Sequence, residues 1–279
     1  MSTLPTGIHD FLGAAGWDGA DIAPLTGDAS FRRYFRLRRG RETAMLMHAP
    51  PPEEPRDFLH VGRWLLEQQV RAPQIYAEDL ADGWVLIEDF GDARMRDWLD
   101  ENPAGEEAAY AAAIDALVDL HRKPPGPFSP YDEATYLREA LLFTEWYCPA
   151  LGLDVDGAGF EAAWREVTAP LLANQQPGVT VLRDYHAENI MLLDPANGAG
   201  EQGVIDFQDA LVGHPAYDLV SLLQDARRDV SPQLEARMFS RYRDCAQCGE
   251  DFEADYARLG AQRNTKIVGI FARLNQRDG

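Results

Sequence analysis

The pattern of apolar and polar positions divides this chain into a strand-rich beginning and a helical remainder. Apolar residues at helical spacing predict a first helix over residues 8–17 and another over 58–65. Short apolar runs separated by turn residues predict a hairpin over 22–49. Two more strands are predicted at 74–77 and 84–87. The first 90 or so residues should therefore form a small twisted sheet with one packed helix.

After Gly91 the apolar residues recur mainly at helical spacing. They predict helices near residues 110–121, 133–148, 157–174, 215–227, 231–246 and 252–275. Only short strands interrupt this pattern, at 180–182, 190–193 and 203–206. We therefore predict a bilobal α+β fold. A small β-rich N-lobe should span residues 1–90, and a larger helical C-lobe should span residues 91–279.

Composition and charge limit the classes of function. Hydrophobic residues make up 46% and charged residues 26% of the 279 residues, which is typical of a globular protein. A formal net charge of -20 would repel a phosphate backbone, so we expect no nucleic-acid partner. Neither a long apolar run nor a secretory signal is visible, so we expect no membrane partner. Three cysteines suit a reducing compartment, and the prediction is a cytoplasmic protein.

The residues suited to chemistry lie in two short segments, Val181–Leu193 and Gly203–Asp209. Phosphoryl transfer needs a group that positions a hydroxyl and hard oxygen ligands for a metal ion that neutralises charge. Asp184 could accept the hydroxyl proton, and Asn189 and Asp206 could hold the metal. Each polar cluster adjoins an apolar strand, so a hairpin would bring Asn189 and Asp206 to the same end.

The two segments resemble the catalytic and metal-binding loops of the aminoglycoside-phosphotransferase and protein-kinase-like superfamily. The resemblance lies in the spacing Asp-x-His-x-x-Asn, followed by Ile-Asp-Phe. It implies a protein-kinase-like fold and a reaction that uses ATP and Mg²⁺. Asp184 would then be the catalytic base, with Asn189 and Asp206 as magnesium ligands. His186 would support the loop beside the substrate, and Asp218 would brace the loop from the next helix.

The same resemblance implies a nucleotide site in the N-lobe. The segment Leu25–Phe35 stands where these kinases have a nucleotide-covering loop, and Gly27 and Ser30 would approach and bind phosphate. The segment Leu86–Gly91 is similar to the hinge between the lobes, with Glu88 at the adenine.

The sequence departs from the family at the lysine that usually holds the α- and β-phosphates. The chain has only two lysines, Lys123 and Lys266, and neither lies in the N-lobe. Met47 or a neighbour stands where the lysine is expected. Two alternatives remain: backbone and metal hold the phosphates alone, or an arginine takes over, with Arg32, Arg33 and Arg36 as candidates.

Taken together, the lysine-free strand and both motifs are similar to the bacterial anomeric amino-sugar kinases of cell-wall recycling. This resemblance implies phosphorylation of N-acetylmuramate or N-acetylglucosamine at the anomeric hydroxyl, with a small amino sugar as partner. Glu145, Trp146 and Asp209 are candidate sugar contacts, because aromatic faces and carboxylates suit a sugar. Two alternatives are a kinase of aminoglycosides or choline, and a regulatory pseudokinase that binds ATP without catalysis.

Overall fold

The computed structural model of the chain describes residues 4–25, 32–194, 196 and 198–278. Gly27 and Ser30, which are expected at the nucleotide, lie outside the described residues. No helix in these ranges is both long and apolar enough to cross a membrane.

The N-terminal part is a five-stranded antiparallel sheet with a helix on each face. The strands are β1 Asp21–Pro24, β2 Arg33–Arg39, β3 Glu42–His48, β4 Ile75–Asp79 and β5 Trp84–Glu88, in the order β1-β2-β3-β5-β4. Side chains alternate across the sheet, so Leu46 and Leu86 pack with α1 (Ile8–Ala14). Met47 and Val85 face the other way, toward α2 (Arg56–Glu67) and the main core.

The remainder of the chain is mainly helical. Its helices are α3 Met95–Glu101, α4 Glu106–His121, α5 Glu133–Leu142, α6 Cys148–Ala150, α7 Gly157–Asn174, α8 Ala216–Leu223, α9 Pro232–Ala246 and α10 Phe252–Asp278. Two antiparallel ribbons lie among them, formed by β6 Val179–Val181 with β9 Leu211–Gly213 and by β7 Ile190–Leu192 with β8 Gln202–Val204. The long α10 packs against α5 and α8.

Backbone hydrogen bonds fasten the β7–β8 ribbon to the segment that leaves β5 and to the loop between α2 and β4. The Leu192 amide donates to the Ala93 carbonyl at 2.8 Å, and the Val204 amide donates to the Arg71 carbonyl at 2.8 Å. Gly203 leaves room for the ring of Phe90, which a side chain at this position would meet. The ribbon is therefore held directly against the segment that leaves β5.

The structure differs from the predicted elements in four places. β1, β9 and α3 were not predicted; β1 is mostly exposed, and β9 is only three residues long, so neither shows a clear apolar pattern. The predicted helix over 133–148 is not continuous, because Phe143–Tyr147 form a π-helical turn after α5. At this junction the Gly269 backbone of α10 lies against the Leu142 backbone. Such turns are frequent at functional sites.

Candidate active site

A buried carboxylate on α8 holds the backbone of the loop that carries Asp184. Asp218 has no exposed surface and accepts hydrogen bonds from the amides of Leu182 at 2.6 Å and Arg183 at 2.8 Å. The Ser221 hydroxyl donates to the Arg183 carbonyl at 3.1 Å. These contacts confirm that Asp218 braces the loop. Burial raises the pKa of Asp218 to about 7, against the effect of the two amide donors.

The β7–β8 ribbon brings Asn189 and Asp206 to the same end, as the strand pattern predicts. The Ile205 amide donates to the Asn189 carbonyl at 3.0 Å. The Asn189 side-chain nitrogen donates to the Asp206 carboxylate at 3.3 Å and to the Asp184 carbonyl at 3.0 Å. One amide therefore ties together the three residues that the motif places in the active site.

Backbone conformation also marks this site. Arg183 has φ 71° and Asp206 has φ 60°, in the left-handed region that residues other than glycine seldom adopt. Such conformations persist where the surrounding structure fixes them, and they cluster at active sites. Here the amide donors to Asp218 and the pairing of β8 supply that support. Both residues stand next to or at the positions expected to carry the chemistry.

The donor set around Asp206 suits a divalent cation. Because Asn189 uses its side-chain nitrogen as a donor, its Oδ1 is left as a ligand. Asp206 is partly open to solvent, but desolvation by the surrounding loops raises its pKa, against a hydrogen bond from Gln208 at 2.8 Å, and the nearby carboxylates of Asp184 and Asp209 raise it further. A cation would relieve this repulsion. The described residues contain no cluster of three or more His, Cys, Asp or Glu at metal distance, but Mg²⁺ commonly takes only one or two protein ligands.

His186 lies behind Asn189 and is only 2% exposed. Its Nε2 is 3.1 Å from Nη1 of Arg227 and 3.5 Å from the side-chain nitrogen of Asn189. Both neighbours are donors, so Nε2 accepts and the ring is neutral. Burial, followed by the charge of Arg227, lowers the pKa of His186 to about 4. The structure thus places His186 in support of the loop, and its contact with substrate stays a prediction.

Charged side chains hold the segment that leaves β5. Arg36 is 8% exposed and donates to Asp92 at 2.7 and 2.8 Å, to Asp89 at 3.0 Å and to the Gly91 carbonyl at 3.1 Å. Arg71 donates to both oxygens of Glu88, at 2.6 and 2.7 Å.

The Glu88 carboxylate is occupied by Arg71 and its amide donates to the Gln74 carbonyl at 2.9 Å, so a role of Glu88 at the adenine would fall to its backbone carbonyl.

The expected phosphate lysine is replaced at its own position by a core residue. Met47 is fully buried. The Arg36 guanidinium already donates to the carboxylates of Asp89 and Asp92. The Arg33 guanidinium lies over the Phe35 ring, 5.1 Å from its centroid. Arg32 differs, because its charge reaches Asp206, where it weakly opposes the desolvation that raises the pKa of that carboxyl.

Arg32 also pairs with Glu53, with its Nε 3.5 Å from a carboxylate oxygen. No sequence pattern distinguishes Glu53, because the adjacent Glu54 before α2 is also acidic.

The predicted acceptor contacts are spread over two segments. Glu145 is exposed and Trp146 is half-buried in the π-helical turn after α5. This turn packs on α10, where the Gln276 amide donates to the Trp146 carbonyl at 3.5 Å. Asp209 is exposed beside the catalytic loop, and its carbonyl accepts from Nη1 of Arg183 at 3.4 Å. Of these three described residues, only Asp209 has a hydrogen bond to that loop.

Comparison with known proteins decides the family. A family model described as "Phosphotransferase enzyme family" matches residues 21–260. The chain belongs to this phosphotransferase family. A relative from Pseudomonas aeruginosa named N-acetylmuramate/N-acetylglucosamine kinase is 36% identical over 292 residues, which cover 99% of this chain and 84% of the relative. A relative of the same name from Caulobacter vibrioides is 37% identical and covers 96% of this chain and 85% of its own length.

Solved structures show that this phosphotransferase has the protein-kinase-like fold. The ADP-bound aminoglycoside phosphotransferase APH(2'')-Ib matches with a TM-score of 0.66 at 14% identity, covering 98% of this chain and 92% of that one. An ethanolamine kinase from Plasmodium vivax matches with a TM-score of 0.67 at 14% identity, covering 96% and 80%. The predicted bilobal α+β fold is confirmed.

The family and the kinase-named relatives make the phosphotransferase an ATP-using enzyme, so they do not favour the pseudokinase interpretation.

Proposed function

We propose that this phosphotransferase transfers the γ-phosphoryl group of ATP to the anomeric hydroxyl of N-acetylmuramate and N-acetylglucosamine. The observation that carries the proposal is the near full-length similarity to kinases named for these two sugars. The joined positions of Asp184, Asn189 and Asp206 support it. A sugar 1-phosphate formed from such sugars would serve peptidoglycan recycling. We place the reaction in the cytoplasm, because it consumes ATP.

In the proposed mechanism, Asp184 accepts the proton of the anomeric hydroxyl as the sugar oxygen bonds to the γ-phosphorus. The bond between that phosphorus and the oxygen bridging to the β-phosphate breaks, and ADP leaves with the electron pair. Asn189 and Asp206 would hold Mg²⁺, which neutralises charge on the phosphates when bound. Asp218 keeps the Asp184 loop in place through the Leu182 and Arg183 amides. Positioning and electrostatics then account for most of the acceleration.

We assign the role of the missing lysine to Arg32. The Glu53 carboxylate orients its guanidinium, and its charge acts on the Asp206 end of the site. An arginine offers two parallel donors to phosphate, where lysine offers a point charge. Arg32→Met should raise the KM for ATP about 10-fold, whereas Arg38→Met, on the exposed part of β2, should leave it unchanged. An unchanged KM in the Arg32 variant would contradict this role and favour the alternative that backbone and metal alone hold the phosphates.

Magnesium dependence can be tested through the same residues. Chelation with EDTA should abolish turnover, and added Mg²⁺ should restore it. Asp206→Asn should raise the Mg²⁺ concentration for half-maximal activity at least about 10-fold, because it removes a charged ligand. Asp194→Asn, an exposed change after β7, is the matched control. Equal Mg²⁺ titrations for both variants would contradict the assignment.

The function itself is tested with four acceptors side by side. ATP consumption should depend on N-acetylmuramate or N-acetylglucosamine, and kanamycin and choline should give only the background rate. Turnover with the two amines and with neither sugar would overturn the substrate but keep the phosphotransferase chemistry. ATP consumption that no acceptor stimulates would contradict the proposal as a whole.

A further inference from the structure

A buried charged cluster joins the catalytic loop to α5 and α10. At its centre is Glu139, which has 5% of its side chain exposed. One carboxylate oxygen accepts from Arg183 and from Nζ of Lys266 at 2.9 Å. The other accepts from the Tyr131 hydroxyl and from the side-chain nitrogen of Gln262 at 3.4 Å. We call these five residues the Glu139 cluster.

The cluster lies beside the reacting group. Arg183 directly precedes Asp184, and its Nη1 donates to the Asp209 carbonyl at 3.4 Å, so it spans the catalytic and metal-binding loops. Lys266 reaches the same point from α10 and also donates to the Tyr217 hydroxyl at 3.2 Å. The two cations thus meet at Glu139, beside the loop that carries Asp184.

The cluster has more donors and more positive charge than Glu139 can satisfy. Two cations meet one carboxylate, and four donors already fill its two oxygens. Buried Nε of Arg183 has no hydrogen-bond partner among the described residues. Lys266 uses two of its three N–H groups. The neighbouring Asp209 carboxylate is exposed and therefore partly screened by water.

The net charge of the cluster is also positive, because one carboxylate faces two cations. Burial would raise the pKa of Glu139, but Lys266 and Arg183 outweigh it and hold the pKa below its ordinary value. Glu139 is therefore ionised and balances only one cation. The side chains of Arg183 and Lys266 are 17% and 12% exposed, so each keeps a small surface toward solvent, although Nε of Arg183 is buried. Glu139 therefore leaves one positive charge of the cluster unbalanced, and an anionic group of a ligand would balance it.

We propose that Lys266 and Arg183 bind the carboxylate of the acceptor sugar. The inference rests on the proposed function, in which the two acceptors differ at one substituent. N-acetylmuramate carries a lactyl ether that ends in a carboxylate, and N-acetylglucosamine carries a hydroxyl there. A carboxylate would accept the third N–H group of Lys266 and balance the second cation, whereas the neutral sugar would leave that charge unbalanced. Lys266 is thus a specificity-determining residue for the acidic acceptor.

The chain offers a matched pair of variants, because it has only two lysines. Lys266→Met should lower kcat/KM for N-acetylmuramate at least about 10-fold more than kcat/KM for N-acetylglucosamine, because one charged hydrogen-bond donor is lost. Lys266→Arg keeps the charge and should keep most of the preference. Lys123→Met, in the loop after α4, should change neither value. If the cluster is purely structural, Lys266→Met should lower kcat/KM for both sugars equally, and that result would overturn the proposal.

A second measurement needs no variant and so does not depend on the folding of Lys266→Met. The methyl ester of N-acetylmuramate has the lactyl group without its charge, and its KM should exceed that of the acid at least about 10-fold. Equal KM values for acid and ester would also overturn the proposal. If the wild-type protein phosphorylates both sugars and the variants show no selectivity, only this inference fails. If it phosphorylates neither sugar, the proposed function fails.

Discussion

The two ends of the candidate site are built by different means. At the catalytic end, backbone pairing and one side-chain amide place Asp184, Asn189 and Asp206, with Asp218 holding loop amides from behind. At the hinge end, the segment that leaves β5, side-chain ion pairs hold the chain in place, chiefly those of Arg36. Backbone geometry fixes positions over a few residues, whereas these ion pairs join residues more than fifty positions apart. The fold of the catalytic end should therefore tolerate loss of the Asp184 side chain. Loss of the Arg36 side chain should destabilise the hinge end.

The largest effect is expected from removing the Asp184 carboxylate, which we propose as the general base. Asp184→Asn should lower kcat on the order of 10³-fold, because a general base commonly contributes 10²–10⁴-fold. ATP affinity, measured by calorimetry, should stay within about 2-fold of the wild type, because the loop is held by Asp218 and not by the Asp184 side chain.

The matched control for Asp184→Asn is Asp194→Asn, an exposed carboxylate that follows β7. Wild-type turnover in the Asp184 variant would rule out its role as base. A parallel loss of ATP affinity and of folding stability would show that the two ends of the site are not built independently.

A smaller effect, on stability, is expected at the hinge. Arg36→Met leaves the Asp89 carboxylate, 4% exposed, without its partner, and a stranded buried charge commonly costs about 3 kcal/mol. Urea unfolding should show this loss, and Arg38→Met should stay within about 0.5 kcal/mol of the wild type. Adding Asp89→Leu to Arg36→Met should recover part of it. A loss under about 1 kcal/mol in Arg36→Met would mean that the ion pairs do not hold this segment.

The smallest effect concerns the helix that carries Asp218. His214, 3% exposed, accepts from the Ala216 amide at 3.2 Å and faces Asp255 at 3.3 Å. Burial lowers the pKa of His214 to about 4, although Asp255 opposes the shift. Between pH 6.5 and pH 4 the unfolded chain therefore binds a proton that the folded chain does not, so stability falls as the pH falls.

Between pH 7 and pH 5 this histidine should cost about 2 kcal/mol of folding free energy. His214→Asn can keep an acceptor for the Ala216 amide and removes the titration, so its stability should fall less steeply over the same range. Urea unfolding at both pH values measures the difference. Identical slopes for the two proteins would show that His214 is not buried in its neutral form.

The same contrast explains what the sequence could predict. The catalytic end was predictable because the motif and two adjoining strands fix where Asn189 and Asp206 meet. Most helices were found because their apolar residues recur over several turns. The π-helical turn at 143–147 was missed, since it keeps a nearly helical apolar pattern. β1 and β9 were missed because they are short and show little alternation.

Long-range charge pairing lay beyond the sequence. The spacing of the arginines does not distinguish Arg36 from Arg32. Arg36 pairs with carboxylates of the hinge segment, whereas the charge of Arg32 acts at Asp206. The sequence marks Lys266 only as one of two lysines outside the N-lobe, and no pattern distinguishes its partner Glu139. These residues come together through the packing of α5 and α10, which apolar periodicity predicts as elements but does not orient.

The central claim is phosphoryl transfer to the anomeric oxygen, and phosphorus NMR of the product tests it most directly. The acceptor would be N-acetylglucosamine labelled with carbon-13 at C1, incubated with ATP, Mg²⁺ and the wild-type protein. We predict a new phosphomonoester signal that is split by coupling to the labelled carbon. A new phosphomonoester signal without that splitting would place the phosphate on another carbon and contradict the account.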